Sequence, residues 1–274
     1  MNDAAQATLP RPRVSDLLQE YRPSARMASR VWLRDVRVFA KVWKQGLLPQ
    51  FFDPLFYLMA MGFGLGTYLA RVNGIPYREF IAPGLVASSV MWAASFETTW
   101  NIYFKMEEKR LYDAILATPI EVPDLVAGEV LWAATRALVY GTTFLATVAA
   151  FGLVASPWAL AVPPFIALGG ACFGMLGTSF TALTPRVDLY SYYFTLFITP
   201  MFLFSGIFYP FDKLPDWVST VAWFTPLYHL VNITRSLILH PDLWTVLGNA
   251  LWLSVLTALL FAVPVRAMRR RLVA

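Results

Sequence analysis

The sequence predicts an all-α integral membrane protein: six transmembrane helices, an amphipathic interface helix before them, and a re-entrant helical hairpin between helices five and six. Three observations predict this class. Hydrophobic residues make up 58% of the 274 residues and charged residues only 14%, against about 25% in a typical soluble domain. Uncharged runs recur, one of them 49 residues long at positions 137–185, and about 20 apolar residues suffice to cross a bilayer. The basic residues behind the net charge of +5 flank these runs, which favours membrane topology over nucleic-acid binding.

The N-terminal part divides into a flexible tail, residues 1–26, and an amphipathic helix, residues 27–45. Trp32, Val36, Phe39 and Trp43 recur at helical spacing on one face, with basic residues on the rest of the surface. A basic amphipathic helix with tryptophans is typical of a segment lying in the membrane interface. A helix packed on a soluble partner is the alternative.

Six apolar runs follow in a transmembrane domain predicted to cover residues 46–266, and residues 267–274 form a basic tail. The predicted spans are about 47–70, 80–102, 130–154, 158–183, 189–208 and 243–265. Ser156 and Pro157 separate spans three and four, because proline disfavours helix in the residue before it. Gly62 and Gly66 form a small-xxx-small pair, which favours close helix packing in the first span.

The distribution of lysine and arginine predicts the orientation. The two termini, the loop between spans two and three and the loop at Arg186 hold 17 of these residues, and the opposite loops hold 4. Positively charged loops stay in the cytoplasm. Both termini are therefore expected to be cytoplasmic.

The segment before the last span is rich in proline and aromatic residues. Pro210, Pro215 and Pro226 interrupt it, and residues 217–234 are uncharged but barely long enough to span. Non-helical backbone at membrane depth persists only when it is buried in protein or lines a cavity. These features predict a hairpin that enters from the outer side and returns. An aromatic belt at the interface is the alternative.

Four ionisable residues fall within or beside the spans, where charges are costly and informative. Glu97 and Arg136 lie at similar depths in neighbouring spans, about eight residues from the cytoplasmic ends, so they are expected to form a buried ion pair. The pair can fix helix register or serve substrate passage. Asp53 and Glu129 lie near the interface and are expected to cap helices or meet cytosolic charges.

Motifs for enzymatic chemistry are absent from the sequence, and no catalytic residue is predicted. No phosphate-binding G-x-x-x-x-G-K-[ST] loop, H-E-x-x-H or G-x-S-x-G pattern occurs. The single cysteine, Cys172, and the two histidines, His229 and His240, exclude an intrachain disulfide and argue against a metal centre. A transport role is favoured over that of a membrane enzyme or scaffold.

The polar loop at residues 101–128 carries charged residues followed by Leu111, Tyr112, Ile115 and Leu116 at roughly helical spacing. Such a short amphipathic helix between two spans suits a mechanical contact with a partner outside the bilayer. An ordinary solvated loop is the alternative.

Several stretches resemble those of one known family. They are Phe80-Ile81-Ala82-Pro83-Gly84, Phe96-Glu97-Thr98, the loop from Glu108 to Ile120 ending near Gly128-Glu129, and Thr199-Pro200 through Ser205-Gly206-Ile207-Phe208-Tyr209-Pro210 to Leu214-Pro215. With the six spans and the interface helix, they resemble a type-2 ATP-binding-cassette exporter permease, over roughly residues 30–265. The branch they resemble most contains the nodulation lipo-oligosaccharide exporter permeases.

The resemblance implies a half-transporter of a bacterial cytoplasmic (inner) membrane. Two copies would form a homodimer of twelve spans, and two copies of a cytoplasmic ATPase would dock below and hold ATP and magnesium. The permease itself would carry no cofactor and no metal; its other partners would be membrane lipids, not nucleic acid. The ATPase-coupling residues implied are Lys105, Glu107, Glu108, Arg110 and Tyr112 in a coupling helix from Lys105 to Ala117, with Arg186 and Asp188 in a second contact at 184–188.

The same resemblance implies an extracellular gate in the hairpin, formed by Phe208, Tyr209, Trp217, Trp223, Phe224 and Tyr228. The first, second and fifth spans would line the path. A path rich in aromatic residues suits a lipid-linked oligosaccharide or polysaccharide, and equally a hydrophobic drug, so a multidrug exporter is the alternative. An ion-coupled secondary transporter would need midplane acids and usually an internal repeat, and the sequence shows no repeat.

Overall fold

The computed structural model describes residues 22–64, 66, 68, 69, 71, 72, 74–211 and 215–273, most of which are helical. The α-helices are α1 (Ala25–Tyr57), α2 (Tyr77–Phe96), α3 (Leu111–Leu116), α4 (Val122–Ala150), α5 (Val162–Leu183), α6 (Tyr190–Tyr193), α7 (Thr199–Phe204), α8 (Asp216–Trp223), α9 (Pro226–Ile238), α10 (Leu243–Leu260) and α11 (Ala262–Leu272). Short π-helical segments (Leu58–Gly64, Glu97–Asn101, Phe104–Glu108, Phe194–Ile198) and 3-10 segments (Pro157–Ala161, Val187–Leu189) extend several of them. Two antiparallel strands, β1 (Arg71–Val72) and β2 (Ile75–Pro76), join α1 to α2, with Arg71 opposite Pro76.

Four continuous helical stretches in the described part of the chain are long and apolar enough to cross a membrane. They are Tyr77–Glu108, Pro157–Leu183, Val187–Phe204 and Leu243–Leu272, which correspond to the predicted second, fourth, fifth and sixth spans. The predicted first and third spans coincide with parts of α1 and α4. The count of six spans stays a prediction.

The N-terminal helix differs from the expectation of two separate segments. No break divides an interface helix at 27–45 from a span beginning at 47, because α1 is a single helix from Ala25 to Tyr57. Its first half packs on α4: Ala28 and Val31 are buried, and the Trp32 indole donates a hydrogen bond of 2.9 Å to the Thr135 hydroxyl. Of the predicted tail, only residues 22–26 are described, and the side chain of Asp53 lies outside the described residues.

The centre of the bundle is the helical stretch that contains α2. In its most apolar part 83% of the residues are buried, against 17% in the stretch that contains α10. Small residues let α2 approach its neighbours closely: a Cβ added at Gly84 would lie 2.9 Å from the Ile207 side chain. The outer helix α10 therefore presents its apolar surface to the surroundings, while α2 contacts α4, α5 and α9.

Helices α4 and α5 form the predicted hairpin at Ser156 and Pro157. The Ser156 hydroxyl accepts a hydrogen bond of 3.2 Å from the Trp158 amide and so begins the next helix. The two helices are in close contact, since a Cβ at Gly170 would lie 2.5 Å from Ala137 Cβ. Pro157 begins the next helical segment, as predicted, whereas α4 ends earlier than the predicted residue 154, at Ala150.

Helices α8 and α9 form a helical hairpin between the fifth and sixth predicted spans. Thr225 separates them, and its hydroxyl accepts a hydrogen bond of 3.4 Å from the Tyr228 amide. Helix α9 packs against α2, α5 and α10, with Leu230 and Ile233 fully buried. The re-entrant position of the hairpin stays a prediction.

Candidate functional site

A buried ion network at one end of the bundle joins α1, the helix Tyr77–Glu108 and α4. Lys105 lies at its centre, with Nζ 2.7 Å from Glu129 Oε2, 3.1 Å from Asp35 Oδ1 and 3.8 Å from Glu97 Oε1. Arg34 pairs with Asp35 on the same helix. The three carboxylates are at most 4% exposed, so their charges need the cations beside them.

The predicted pair of Glu97 and Arg136 is part of this network. Arg136 Nη1 lies 3.3 Å from Glu97 Oε2, and the guanidinium also lies over the Phe39 ring, 4.8 Å from its centroid. Glu97 accepts two further hydrogen bonds of 2.7 Å, from the Trp132 indole and from the Asn101 amide. Three acids and three bases thus balance in charge and fasten three helices together.

Helix α3 places Tyr112 against this network. The Tyr112 side chain is 1% exposed, and burial, together with the nearby Glu129 carboxylate, raises the pKa of this phenol well above its usual value. Tyr112 therefore stays neutral. Tyr112 is buried and the Lys105 side chain is only 13% exposed, so the expectation that they contact a partner directly does not fit this structure. Instead, both pack under the exposed residues of the loop.

The predicted coupling helix from Lys105 to Ala117 is divided in two. Lys105, Glu107 and Glu108 belong to the last turn of the long second-span helix, and α3 begins only at Leu111. Arg110 has a φ of 44°, a left-handed backbone conformation that breaks the helix. The exposed loop surface consists of Glu107, Glu108, Lys109, Arg110 and Asp113.

Arg271 of α11 joins this surface to the second predicted contact. Its Nη2 lies 2.8 Å from Glu107 Oε1, and its Nη1 donates hydrogen bonds to the carbonyls of Thr184, at 2.7 Å, and Thr181. The segment 184–188 therefore lies beside the exposed loop surface, and within it Arg186 and Asp188 pair at 3.1 Å with both side chains exposed. This role of Arg271 is not predictable from its place in a basic cluster at the end of the sequence.

A second feature is a row of aromatic rings, here named the aromatic ladder. Its members are Trp100, Tyr190, Phe180, Tyr193, Phe194, Trp92, Phe202 and Phe208, whose successive ring centroids lie 4.8–6.3 Å apart. Phe96 stacks on Phe194 at 4.6 Å and Tyr57 meets Phe202 at 5.6 Å. These separations are typical of favourable aromatic pairs. The ladder draws on the predicted second, fourth and fifth spans, and Tyr57 adds a ring from the first span. It runs from Trp100, which lies between Glu97 and Lys105 on one helical stretch, to Phe208.

One side of the ladder is open. Tyr57 is 46% exposed, Phe96 39% and Phe197, which stacks beside Tyr193, 55%. Large exposed aromatic side chains along a helix bundle are available to lipid, to a second subunit or to a ligand. The ladder is therefore a candidate binding surface for a molecule with apolar and planar parts.

The six predicted gate residues do not form one cluster. Phe208 ends the ladder, and the Tyr209 hydroxyl donates a hydrogen bond of 2.7 Å to the Leu203 carbonyl. Trp223 packs against Phe224, with 5.1 Å between the ring centroids. Tyr228 packs on Phe211 and on His229, both at 5.2 Å, and His229 also contacts Trp223. Trp217, 66% exposed, borders an apolar groove of about 280 Å³ between α8 and the fifth-span helix, and Phe197 beside the ladder lines the same groove.

A buried arginine fixes the segment that carries Phe208. Arg235 Nη2 donates a hydrogen bond of 2.7 Å to the Gly206 carbonyl and a longer one of 3.4 Å to the Phe80 carbonyl. Its guanidinium lies 4.2 Å from the centroid of the Phe80 ring. Arg235 thus ties α9 to α2 and to the start of the hairpin. In the sequence, Arg235 is distinguished only as one of four basic residues in the loops predicted to lie opposite the termini.

No group of three or more His, Cys, Asp or Glu side chains suited to a metal ion occurs within the residues that the structure describes. The proposed transport role rests instead on the ion network, the exposed loop surface beside it and the aromatic ladder.

Comparisons with known proteins agree on one family. Residues 28–239 match the family described as ABC-2 type transporter. The chain is 37% identical to Nodulation protein J of Rhizobium leguminosarum bv. trifolii over 242 residues, 88% of this chain and 92% of the relative. It is 34% identical to Nodulation protein J of Bradyrhizobium diazoefficiens over the same shares. It is also 24% identical to the Inner membrane transport permease YadH of Escherichia coli, over 74% of this chain and 78% of that protein.

Proposed function

Since this chain belongs to the ABC-2 type transporter family, we propose that it exports an amphipathic, lipid-linked oligosaccharide or polysaccharide. Two copies form the path across the inner membrane, with both termini in the cytoplasm. Two copies of a separate ATPase subunit hold ATP and magnesium and drive the transport. The aromatic ladder carries the proposal, because it runs along the bundle from the charged end to a residue of the predicted gate.

The exposed loop surface is proposed as the docking site for the ATPase, with Arg186 and Asp188 at its side. Its position supports this role: it lies directly above the ion network that fastens the second-span helix to α1 and α4. A force applied to Glu107 and Glu108 therefore acts on a helix that ion pairs connect to both α1 and α4. Binding of ATP shifts the permease only if it favours one of the two states.

The substrate is proposed from the chemistry of the ladder. Aromatic faces stack on sugar rings, and the same rings pack on acyl chains, so a row of them suits a molecule that has both. The similarity to Nodulation protein J and the resemblance to lipo-oligosaccharide exporter permeases support this class. A hydrophobic drug is the competing substrate, and transport assays separate the two.

The docking proposal is tested with a double change on the exposed loop surface, Glu108→Ala with Arg110→Gly. Glycine removes the Arg110 side chain without strain, because it adopts positive φ readily. We expect at least a tenfold loss of ATPase co-purification, equivalent to about 1.4 kcal/mol. The matched control is Arg78→Ala with Asp216→Ala, which removes one exposed base and one exposed acid far from this surface. Equal retention of the ATPase by both variants would contradict the docking site.

The substrate proposal is tested in lipid nanodiscs that contain the permease and its ATPase. Lipid-linked oligosaccharides should stimulate ATP hydrolysis, and the change Phe96→Ala with Phe197→Ala on the open side of the ladder should reduce that stimulation severalfold. The control is Trp244→Ala, an 83% exposed aromatic residue outside the ladder, which should leave stimulation intact. If only hydrophobic cations stimulate ATP hydrolysis, the proposed glycolipid substrate is wrong and the multidrug alternative is supported. A proton gradient that drives transport without ATP would refute the exporter mechanism.

A further inference from the structure

A groove at the end of the last span combines exposed arginines with exposed apolar side chains. It has a volume of about 510 Å³ and lies between the end of α5 and α11, with Leu183, Val263, Arg266 and Arg270 among its lining residues. Leu183 is 70% exposed and Val263 45% exposed. An amphipathic molecule suits this combination, because its anionic group can contact the arginines while its apolar part packs on Leu183 and Val263.

The two arginines have no carboxylate partner within the described residues. Arg271, the third arginine of the groove, is already engaged by Glu107 and by two backbone carbonyls. Arg266 and Arg270 are exposed and one helical turn apart, so their side chains stand on the same face about 5–6 Å apart at Cβ. That spacing lets two guanidinium groups bind one phosphate, each through paired hydrogen bonds.

The position of the groove along the helix matches the level of phospholipid headgroups. The helix Leu243–Leu272 is the most apolar of the candidate spans. At about 1.5 Å per residue, Arg266 and Arg270 lie roughly 35–40 Å along the axis from Leu243. The hydrocarbon core is about 30 Å thick and the bilayer with its headgroups about 40–45 Å, so the two arginines fall in the headgroup layer.

We propose that this groove binds one anionic phospholipid of the surrounding membrane. Arg266 and Arg270 hold the headgroup phosphate, and Leu183 and Val263 contact the first part of an acyl chain. Charge complementarity and the apolar wall together select this occupant: a soluble phosphate would leave the apolar side chains open, and a zwitterionic lipid would bring a cation next to the arginines. The bound lipid would cover the junction of α5 and α11, beside the Arg271 contact with the exposed loop surface.

The test measures lipid retention by the full-length permease without its ATPase, by native mass spectrometry with added phosphatidylglycerol or phosphatidylcholine. The variant is Arg266→Gln with Arg270→Gln. The control is Arg30→Gln with Arg37→Gln, which removes two exposed positive charges from α1. We expect phosphatidylglycerol affinity to fall about 30-fold in the variant, at about 1 kcal/mol for each arginine, and less than threefold in the control.

A second measurement locates the lipid independently of the arginine changes. Cys172 is buried, and in a Cys172→Ser background a fluorophore on Leu183→Cys reports on the groove. Brominated phosphatidylglycerol should quench it more strongly than brominated phosphatidylcholine. Equal quenching by both lipids, or equal loss of affinity in the variant and the control, would overturn the site. Competition by soluble glycerol phosphate as effective as that by phosphatidylglycerol would overturn the lipid as occupant, and displacement of the lipid by the ATPase subunit would assign the groove to that protein instead.

Discussion

Removing the charge of Glu97 tests whether the ion network stabilises the bundle. In Glu97→Gln only the amide oxygen can still accept a hydrogen bond, from either Trp132 or Asn101, and Arg136 loses its carboxylate at 3.3 Å. An uncompensated buried charge costs about 3–5 kcal/mol. The side chain of Arg136 is 12% exposed and lies over aromatic rings, so we expect about 3 kcal/mol. That corresponds to a fall of roughly 6–12 °C in Tm for a domain of this size.

The assay is thermal unfolding of the purified permease in nanodiscs, with Glu108→Gln as control. Glu108 is exposed, so its neutral variant should change the free energy of unfolding by less than about 0.5 kcal/mol. The double variant of Glu97→Gln with Arg136→Gln removes both charges, and part of the lost Tm should return. If the Glu97 and Glu108 variants have the same Tm, or if the double variant is the least stable of all, the charges do not act as a pair and the reasoning is wrong.

Three further predictions concern packing, the hairpin and a helix cap. In Gly170→Ala the new Cβ would lie 2.5 Å from Ala137 on the neighbouring helix, which should lower the free energy of unfolding by about 1–3 kcal/mol. The control is Gly248→Ala, whose Cβ meets nothing within 4 Å and which should be neutral or slightly stabilising in the same thermal assay. Arg235→Met leaves the buried Gly206 carbonyl without its side-chain donor, which costs about 1–3 kcal/mol, and should speed amide exchange in the segment 205–211. Unchanged exchange would show that Arg235 does not hold this segment. A hydrogen bond from the Thr245 hydroxyl lowers the pKa of Asp242. This cap therefore stabilises α10 above the usual carboxyl pKa and is lost as the pH falls through the lowered value, so Asp242→Asn should remove the acid-induced fraying that amide exchange detects.

The helices that the sequence predicted best are those with uniform composition. Spans two, four, five and six are nearly uncharged runs, and each corresponds to a continuous helix. The third was predicted from its apolar part alone, to begin near residue 130, but α4 begins at Val122. The reason is a capping box in which Asp124 accepts a hydrogen bond of 3.2 Å from the Glu121 amide. The acidic residues Glu121 and Asp124 and the later Glu129 interrupt the apolar pattern at the start of this helix, so a search for uncharged runs begins after them.

The ion network was only partly predictable. Glu97 and Arg136 could be paired from their depths, because both lie in spans whose ends the sequence marks. Lys105 was assigned to the surface, since it is near the end of a span in a charged loop. Its burial depends on Asp35, which is 70 residues earlier and reaches Lys105 only because α1 packs on α4. Local patterns do not report such a contact.

The course of the second-span helix shows how a push at the charged end could reach the aromatic ladder. Trp92, Phe96 and Trp100 lie on the same helical stretch as Glu107 and Glu108, and about 12 Å separates Trp100 from Glu108 along the axis. The π-helical segment Phe104–Glu108 lies within that distance, and a second one, Glu97–Asn101, spans its start at Trp100. Such segments are sites where helices bend. The ion network joins the helix to its neighbours at both segments, through the ion pairs of Glu97 and Lys105. A displacement of the exposed loop surface therefore has to rotate or bend the helix about Glu97 and Lys105. The ladder rings on this helix move with it.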